Sequence, residues 1–537
     1  MARAVLAAVA SIVLLLSAGG AQAATPRDTL VIAWNLDALI TFDPPQIGEV
    51  NGNDIIVGNV CSTLVQYDPK DTSKILPGTA ESWSSSPDGL TLTFKLRTDL
   101  KFPDGTPATA EDAAWSLQRA VLLGYFASAN LTQWGFNKDQ IADQIQATDA
   151  STLVVKLSKP YPAPLLLSAA FANNSVAVIL SKAAGLKNAK TVDGKSDLAN
   201  AFFKTAPVCV GPYRVTRWDA NDVVILERND HYFGPKPGLR RVIIRHVPES
   251  SAQRLLLQKG DIDVARLLNT DDLKALEANK DIRIEQTLMQ GMNYLALNTN
   301  DPILGNPKVR EAIRYLIDYD GLANTILPYK GRPRADLVPE GAFGALDRKE
   351  GQPFSLNLAK AKQLLTEAGY PDGFSKKLIL SANDIAPSIA QHIATNAAKV
   401  GIKLELEQMA DANLFTRGRN RDFEVQLVGW NAGYPDADAM VSRHAANPDP
   451  RLEAKLVGLP VWRTGWQSTD INTKAEAARL EQDAVKRAAI YKDIQSYMMH
   501  NGPMAYIYQT IRPIAVRTSV KDFMIAPFSV NYGSASK

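Results

Sequence analysis

Between Asn306 and Leu427 the chain switches repeatedly between two hydrophobic periods, and that switching limits its fold more than any other feature. Asn306 and Pro307 open a helix that sets Val309, Ile313, Leu316 and Ile317 on one face and turns Arg310 and Arg314 outward. Asn357 caps a second helix carrying Ala361, Leu364, Leu365 and Ala368, which Gly369 and Pro371 stop. A third runs from about Ile389 to Val400 and ends at Gly401. Ile402, Leu404 and Leu406 then alternate with polar residues as one strand, and Phe423, Val425 and Leu427 as another. Helices alternating with strands predict α/β domains built on mostly buried sheets.

The first half adds similar material. Thr29 to Trp34 reads as a buried strand, and Asp88-Gly89 turns into an alternating strand from Leu90 to Arg97. Thr109-Ala110-Glu111-Asp112 is a helix start in which hydroxyl and carboxylate each satisfy a free backbone amide, and the helix is expected to run to about Val121. No short-period repeat or low-complexity tract interrupts the 537 residues, a length that predicts about two or three domains.

Arg3, the apolar run Ala4 to Leu16 and the small-residue site Ala21-Gln22-Ala23 predict a cleaved export signal over residues 1–23, with the mature chain starting at Ala24. The run is shorter than the roughly 20 residues that span a bilayer, and no later stretch is long and uncharged enough, so the expected product is a soluble periplasmic protein. The first cysteine, Cys61, lies far beyond the apolar run, which argues against a lipid anchor. Cys61 and Cys209 are the only two cysteines. In an oxidising compartment they can bridge if their α-carbons lie within about 7 Å; the alternative is two buried thiols acting as small apolar residues.

A net charge of +3 without a dense Lys/Arg run indicates neither nucleic acid nor a polybasic membrane patch. No G-x-S-x-G, H-E-x-x-H, G-x-x-x-x-G-K or C-x-x-C occurs, so the local signatures of hydrolysis, metal proteolysis, nucleotide binding and redox chemistry are missing. The five histidines are scattered with no i, i+4 pair to aim at one metal. The expectation is a non-enzyme with no cofactor and no metal site.

Ordered blocks then carry a resemblance: ILPGTAESWSSSPDGLTLTFKLRTDLKFPDGTPATAEDAAWSLQR at Ile75 to Arg119, GPYRVTRWDANDVVILERNDHYFG at Gly211 to Gly234, LLLQKGDIDVA at Leu255 to Ala265, YLALNTNDPILGNPKVREAIRYLIDYDGL at Tyr294 to Leu322, LAKAKQLLTEAGYPDGF at Leu358 to Phe374, and KVGIKLELE to VGWNAGYPD at Lys399 to Asp436. This series resembles the family 5 extracellular solute-binding proteins of ABC importers, which include dipeptide, oligopeptide and nickel binders. The resemblance implies an α/β, two-lobed periplasmic binding protein fold with a hinge and an extra domain in the first lobe. It places the core of lobe 1 at 24–72, 202–289 and 508–537, the extra domain at 73–201 and lobe 2 at 290–507, with hinge crossings near Met289 to Met292 and Tyr506 to Tyr508. It also implies capture of a peptide or peptide-like solute by a monomer that hands it to permease and ATPase subunits. The alternatives are a non-peptide solute such as an opine, oligosaccharide or metal chelate, a periplasmic enzyme using Asp436 and Asp438, or a chaperone-like or sensory protein.

Trp430, Asn431, Gly433, Tyr434 and Asp436 follow a strand, where an α/β sheet offers its carboxyl edge to ligand, and the resemblance makes this loop line the pocket. Against that, Trp430 suits a core and Asp436 and Asp438 suit a turn and helix start. Asn293 and Tyr508 fall at the crossings. Arg417, beside Arg419 and Arg421, offers a bidentate fork to an anion or simply a solvated charge. Trp466, with Trp462, offers an indole for stacking or for packing. His444 is the one histidine close behind the loop, which keeps a metal chelate in play. Three departures separate the chain from peptide binders of the family. Gly433 stands where they commonly have an aspartate pairing with the terminal ammonium, leaving Asp436 as nearest substitute. The loop at Ser381 to Ser388 lacks their carboxylate-holding arginine and offers Asn383 and Asp384. Cys209-Val210 replaces Gly-Thr before Gly-Pro-Tyr.

Overall fold

The computed structural model describes residues 25–172, 174–382 and 385–537; the signal segment 1–23 and the loop residues Asn383 and Asp384 lie outside them. Its frame is one 11-stranded sheet. The strands, in chain order, are β1 (Thr29–Trp34), β2 (Tyr213–Asp219), β3 (Val223–Arg228), β4 (Arg241–His246), β5 (Val264–Ala265), β6 (Ile282–Leu297), β7 (Gly331–Pro333), β8 (Phe374–Ser381), β9 (Ile402–Met409), β10 (Val425–Asn431) and β11 (Met504–Arg517). They lie in the order β2-β3-β4-β1-β5-β11-β6-β10-β8-β9, with β7 beside β11. β1 is buried along its whole length and pairs in parallel with β4 and β5, which is why its sequence is apolar without alternation.

Two long strands hold the molecule together. β6 and β11 run antiparallel: Ile282–Leu288 pairs with Ile511–Arg517, and Met292–Ala296 with Met504–Gln509. The register shifts between Leu288 and Met292, so the ladder is broken there. Gly291 sits at that break. A β-carbon there would lie 2.3 Å from Asn431 Oδ1, so a larger residue would have to turn that side chain aside.

Residues 73–201 carry a second, four-stranded antiparallel sheet and the helix α1 (Ala110–Leu123). Thr109 and Asp112 form the expected capping box, and Gly124 ends the helix in the left-handed conformation at φ 69°. Arg119 of α1 reaches back to Asp43 of lobe 1 through two bonds of 2.7 and 2.8 Å, both side chains fully buried. One core, in two clusters on opposite faces of β1, lies in lobe 1, a second lies between β8 and its helices, and a third runs from Phe94 and Trp134 of the extra domain into Tyr434, Val441 and Tyr491 of lobe 2. No helix among the described residues is long and apolar enough to cross a membrane.

Lobe 2 contributes the helices α2 (Pro307–Arg314), α3 (Leu358–Glu367), α4 (Ala386–Ala398), α5 (Asp411–Arg419), α6 (Asp438–His444), α7 (Thr469–Leu480) and α8 (Ala484–Asn501). The helix faces at Val309, Ile313, Ala361 and Leu365 point to the core as the periodicity predicts. Arg310 and Arg314 do not point outward. Both are buried, and they donate to the carbonyls of Asn501, Gly502 and Met504 at the end of α8 and the start of β11. A helix C-terminus leaves carbonyls without partners and carries partial negative charge, so two guanidiniums there replace water as donors.

Cys61 and Cys209 form a disulfide, with Cα atoms 4.9 Å apart and a sequence separation of 148. It ties the loop after Ile56 to the segment leading into β2. Because the closed loop is long, replacing both cysteines by alanine is expected to cost about 2–4 kcal/mol. Thermal melting with and without reductant checks this: the parent should lose stability on reduction and the variant should not respond.

Candidate functional site

β8 and β9 run parallel, as do β8 and β10, so their carboxyl ends at Ser381, Met409 and Asn431 share one edge of lobe 2. The amino ends of α4 and α5 begin at the same edge. A cavity of about 130 Å³ opens there. Its floor is apolar, from Ile389, Leu414, Leu427 and Val428, with the half-exposed ring of Phe415 at the side. Its polar lining is Asn293, Ser381, Tyr508 and the carboxylate of Asp411. The position follows from chain direction: in open α/β sheets the loops after the strands diverge and leave a crevice.

Beside the cavity runs the loop Trp430–Asp436. Gly429, Asn431 and Gly433 face outward, whereas Ala432, Tyr434 and Asp436 are buried. A β-carbon on Gly433 would meet nothing within 4 Å, so this point of the loop looks into open space. The loop is held from beneath. Both Asp436 oxygens accept from Arg487 of α8, at 2.7 and 2.8 Å. Asp438 accepts from Tyr434 at 2.7 Å and Tyr491 at 3.2 Å, and its amide donates to Asp436 at 2.9 Å. Burial pushes the Asp436 carboxyl up, and Arg487 opposes that by favouring the ionised form. The Tyr434 hydroxyl is pushed well up by burial and by the Asp438 charge.

Trp430 is half-buried, its ring edge-on to His444 at 5.7 Å and overlaid by the Arg463 guanidinium at 5.8 Å. His444 is fully buried, lies 2.9 Å from the Tyr506 hydroxyl and is pushed down to about 3 by burial, so it is a neutral core imidazole. No group of three His, Cys, Asp or Glu side chains able to hold a metal occurs among the described residues.

The fold brings together part of the set that the sequence singles out. Asn293 and Tyr508 are cross-strand partners on β6 and β11 and line the cavity, and Asn293 donates to Thr510 at 3.0 Å. Trp430, Asn431 and Gly433 flank it on the same edge. Tyr434 and Asp436 sit in the loop, but with their polar atoms turned to Asp438 and Arg487. Arg417 points elsewhere, bonded to Glu407 at 2.7 Å and Asp422 at 2.8 Å. Trp466 is buried in the third core, and Trp462 donates to the Arg451 carbonyl beneath Arg421. Asp411 and Phe415 were missed. Their signal was available, since Asp411 opens a helix immediately after the Ile402–Met409 strand, at the same carboxyl edge.

The extra domain also touches lobe 2. Lys159 pairs with Glu476 at 2.5 Å, Gln482 donates to the Pro160 carbonyl at 2.6 Å, and the Arg479 guanidinium lies 4.3 Å from the Trp134 ring centre.

Residues 74–449 match the family model described as bacterial extracellular solute-binding proteins, family 5 Middle. The chain is 29% identical over 516 residues to the probable D,D-dipeptide-binding periplasmic protein DdpA of Escherichia coli strain K12, covering 94% of this chain and 93% of that protein. It is 28% identical over 476 residues to the glutathione-binding protein GsiB of the same strain, covering 84% and 87%. Among solved structures, the ABC transporter-associated periplasmic binding protein DppA from Helicobacter pylori, in complex with peptide STSA, matches with a TM-score of 0.75 and 25% identity over 95% of this chain and 98% of that one.

Proposed function

The chain belongs to the family 5 bacterial extracellular solute-binding proteins, and on that premise we propose that it is the periplasmic solute-binding component of an ABC importer, a carrier and not an enzyme. It captures a peptide or peptide-like solute between its lobes and delivers it to the membrane permease of an importer driven by ATPase subunits. The observation that carries this reading is the cavity at the carboxyl edge of β8, β9 and β10, set beside the paired strands β6 and β11. A pocket at a domain joint loses water when the joint closes, and closure presents both lobes together to a partner. Relatives named for D,D-dipeptides and glutathione support a solute of that size and kind. The two carboxylates that an enzyme would need, Asp436 and Asp438, are buried and held by Arg487, Tyr434 and Tyr491.

Within transport, a non-peptide solute is the second reading, favoured by Gly433, which leaves the outward face of the loop without a carboxylate. Mass spectrometry of small molecules released from protein purified out of its own periplasm separates the two. A bound, chemically intact solute that rebinds saturably to the stripped protein is the expected result. Empty protein that responds to no peptide, opine or sugar would sink the carrier reading.

A further inference from the structure

The geometry points to a phosphate site beside the carboxyl edge of β10: Arg419 and Arg463, set against the ring of Trp430, receive the phosphate group of a phosphorylated solute. This names the solute class of the carrier reading and rests on it. Arg463 ends the short helix Pro460–Arg463, and its guanidinium lies 5.8 Å from the Trp430 ring centre. Its Nε donates to the Val457 carbonyl at 2.9 Å, while its two terminal nitrogens meet no acceptor among the described residues. Arg419 stands exposed in the last turn of α5, and its side chain has no hydrogen bond or ion pair among the described residues. The pair adjoins the cavity. Phe415 lines the cavity, and Arg419 follows it by four residues on the same face of α5. Gln426 donates to the Leu414 carbonyl of α5, so Gln426, Val428 and Trp430 share the side of β10 that α5 covers, and Val428 also lines the cavity.

Nothing of opposite sign offsets these charges. Burial disfavours the charged form of Arg463 and Arg419 disfavours it further; Tyr294, the group acting in the other sense, has its own hydroxyl pushed up by burial and stays neutral. Behind Trp430, burial together with the charges of Arg463 and Arg443 keeps His444 unprotonated. Like charges held together in a partly dehydrated setting cost stability until an anion joins them. A single carboxylate balances one guanidinium. A phosphate monoester carries close to two negative charges at neutral pH and has three acceptor oxygens to divide between two planar forks. The site draws on α5 and the helix at 460–463, not on the loop at 381–388 where peptide binders of the family hold a carboxylate.

The test is calorimetry on the mature protein stripped of solute, with three probes: a dipeptide containing phosphoserine, the same dipeptide with serine, and inorganic phosphate. The variants are Arg419→Gln, Arg463→Lys and, as a control for nearby charge, Arg421→Gln, whose guanidinium stacks on Trp462 at 3.7 Å and is acted on by burial alone. The parent is expected to bind the phosphoserine dipeptide about tenfold to a hundredfold more tightly than the serine one, and inorganic phosphate to compete with it. That advantage should shrink between pH 7.5 and pH 5, as the phosphate loses its second charge near pH about 6. Arg419→Gln and Arg463→Lys should lose most of the advantage, and Arg421→Gln should keep it. Arg419 is exposed, so Arg419→Gln should melt with the parent, which a thermal scan confirms. Equal affinity for the two dipeptides, equal losses in all three variants, a response to inorganic phosphate alone, or no response to either phosphate probe overturns the inference. The carrier reading is judged separately, by the solute released from native protein: an intact solute without a phosphate group sinks this inference and leaves that reading standing.

Discussion

Arg487→Met is expected to destabilise the protein by about 3–5 kcal/mol and to abolish solute binding in whatever fraction remains folded. The guanidinium is buried between the rings of Phe343 and Tyr491, holds both oxygens of Asp436, and donates to the Ala478 carbonyl at 3.2 Å. Removing it leaves a buried carboxylate whose ionised form has lost its chief support, while burial continues to push its pKa up. Asp436 must then take a proton or pull the loop toward water. Either response moves Trp430 to Tyr434, because the Asp438 amide and the Tyr434 hydroxyl belong to the same network. The double variant Asp436→Asn with Arg487→Met removes both charges and should recover part of the loss. Urea unfolding and titration on the same samples check the pair. A single variant within about 1 kcal/mol of the parent would show that the network does not support the loop.

That network also marks how far the sequence could be read. Period and caps reveal faces and ends: the α1 capping box, the core faces of α2 and α3, and the carboxyl edge after Leu427 follow from residues within a few positions of one another. Partners distant in the chain do not. Arg487 lies 51 residues from Asp436, Cys209 lies 148 from Cys61, and Arg310 finds two of its four acceptors almost 200 positions away, at Asn501 and Gly502. An arginine on a helix looks solvent-facing until the fold supplies carbonyls lacking donors. Arg417 illustrates the same limit from the other side. Its loop suggested an anion-binding fork, but the turn back from α5 to β10 and the β9 strand place Asp422 and Glu407 against it. Asp411 differs from both: the direction of β9 alone places it at the carboxyl edge, at the start of the helix that follows.

His444→Phe should reshape the acid sensitivity of the protein. In an unfolded chain the imidazole takes up a proton near its ordinary value of 6.5, whereas in the folded protein burial holds it unprotonated down to about 3. Between those values the unfolded state binds the extra proton, so the contribution of His444 to stability is fully present above pH 6.5 and falls with pH. The slope is about 1.4 kcal/mol per pH unit, reaching roughly 4–5 kcal/mol near pH 3. Two carboxyls act in the opposite sense: Glu49, pushed up to about 7, and Asp336, pushed up to about 6, bind protons more readily in the folded state. The total pH curve therefore mixes signs, and the difference between parent and variant isolates the histidine. At pH 7.5 the phenylalanine variant should be less stable by about 1 kcal/mol, the worth of the lost contact to Tyr506. As pH falls below 6.5 the difference should close, reverse near pH 6 and widen in favour of the variant. Denaturant melts at half-unit steps, read through tryptophan fluorescence since Trp430 packs against this ring, measure it. A difference that stays flat from pH 7.5 to 4 would mean that the imidazole takes up its proton in the folded protein as readily as in the unfolded chain, and would reopen the question of what counter-charge or ligand sits behind the loop.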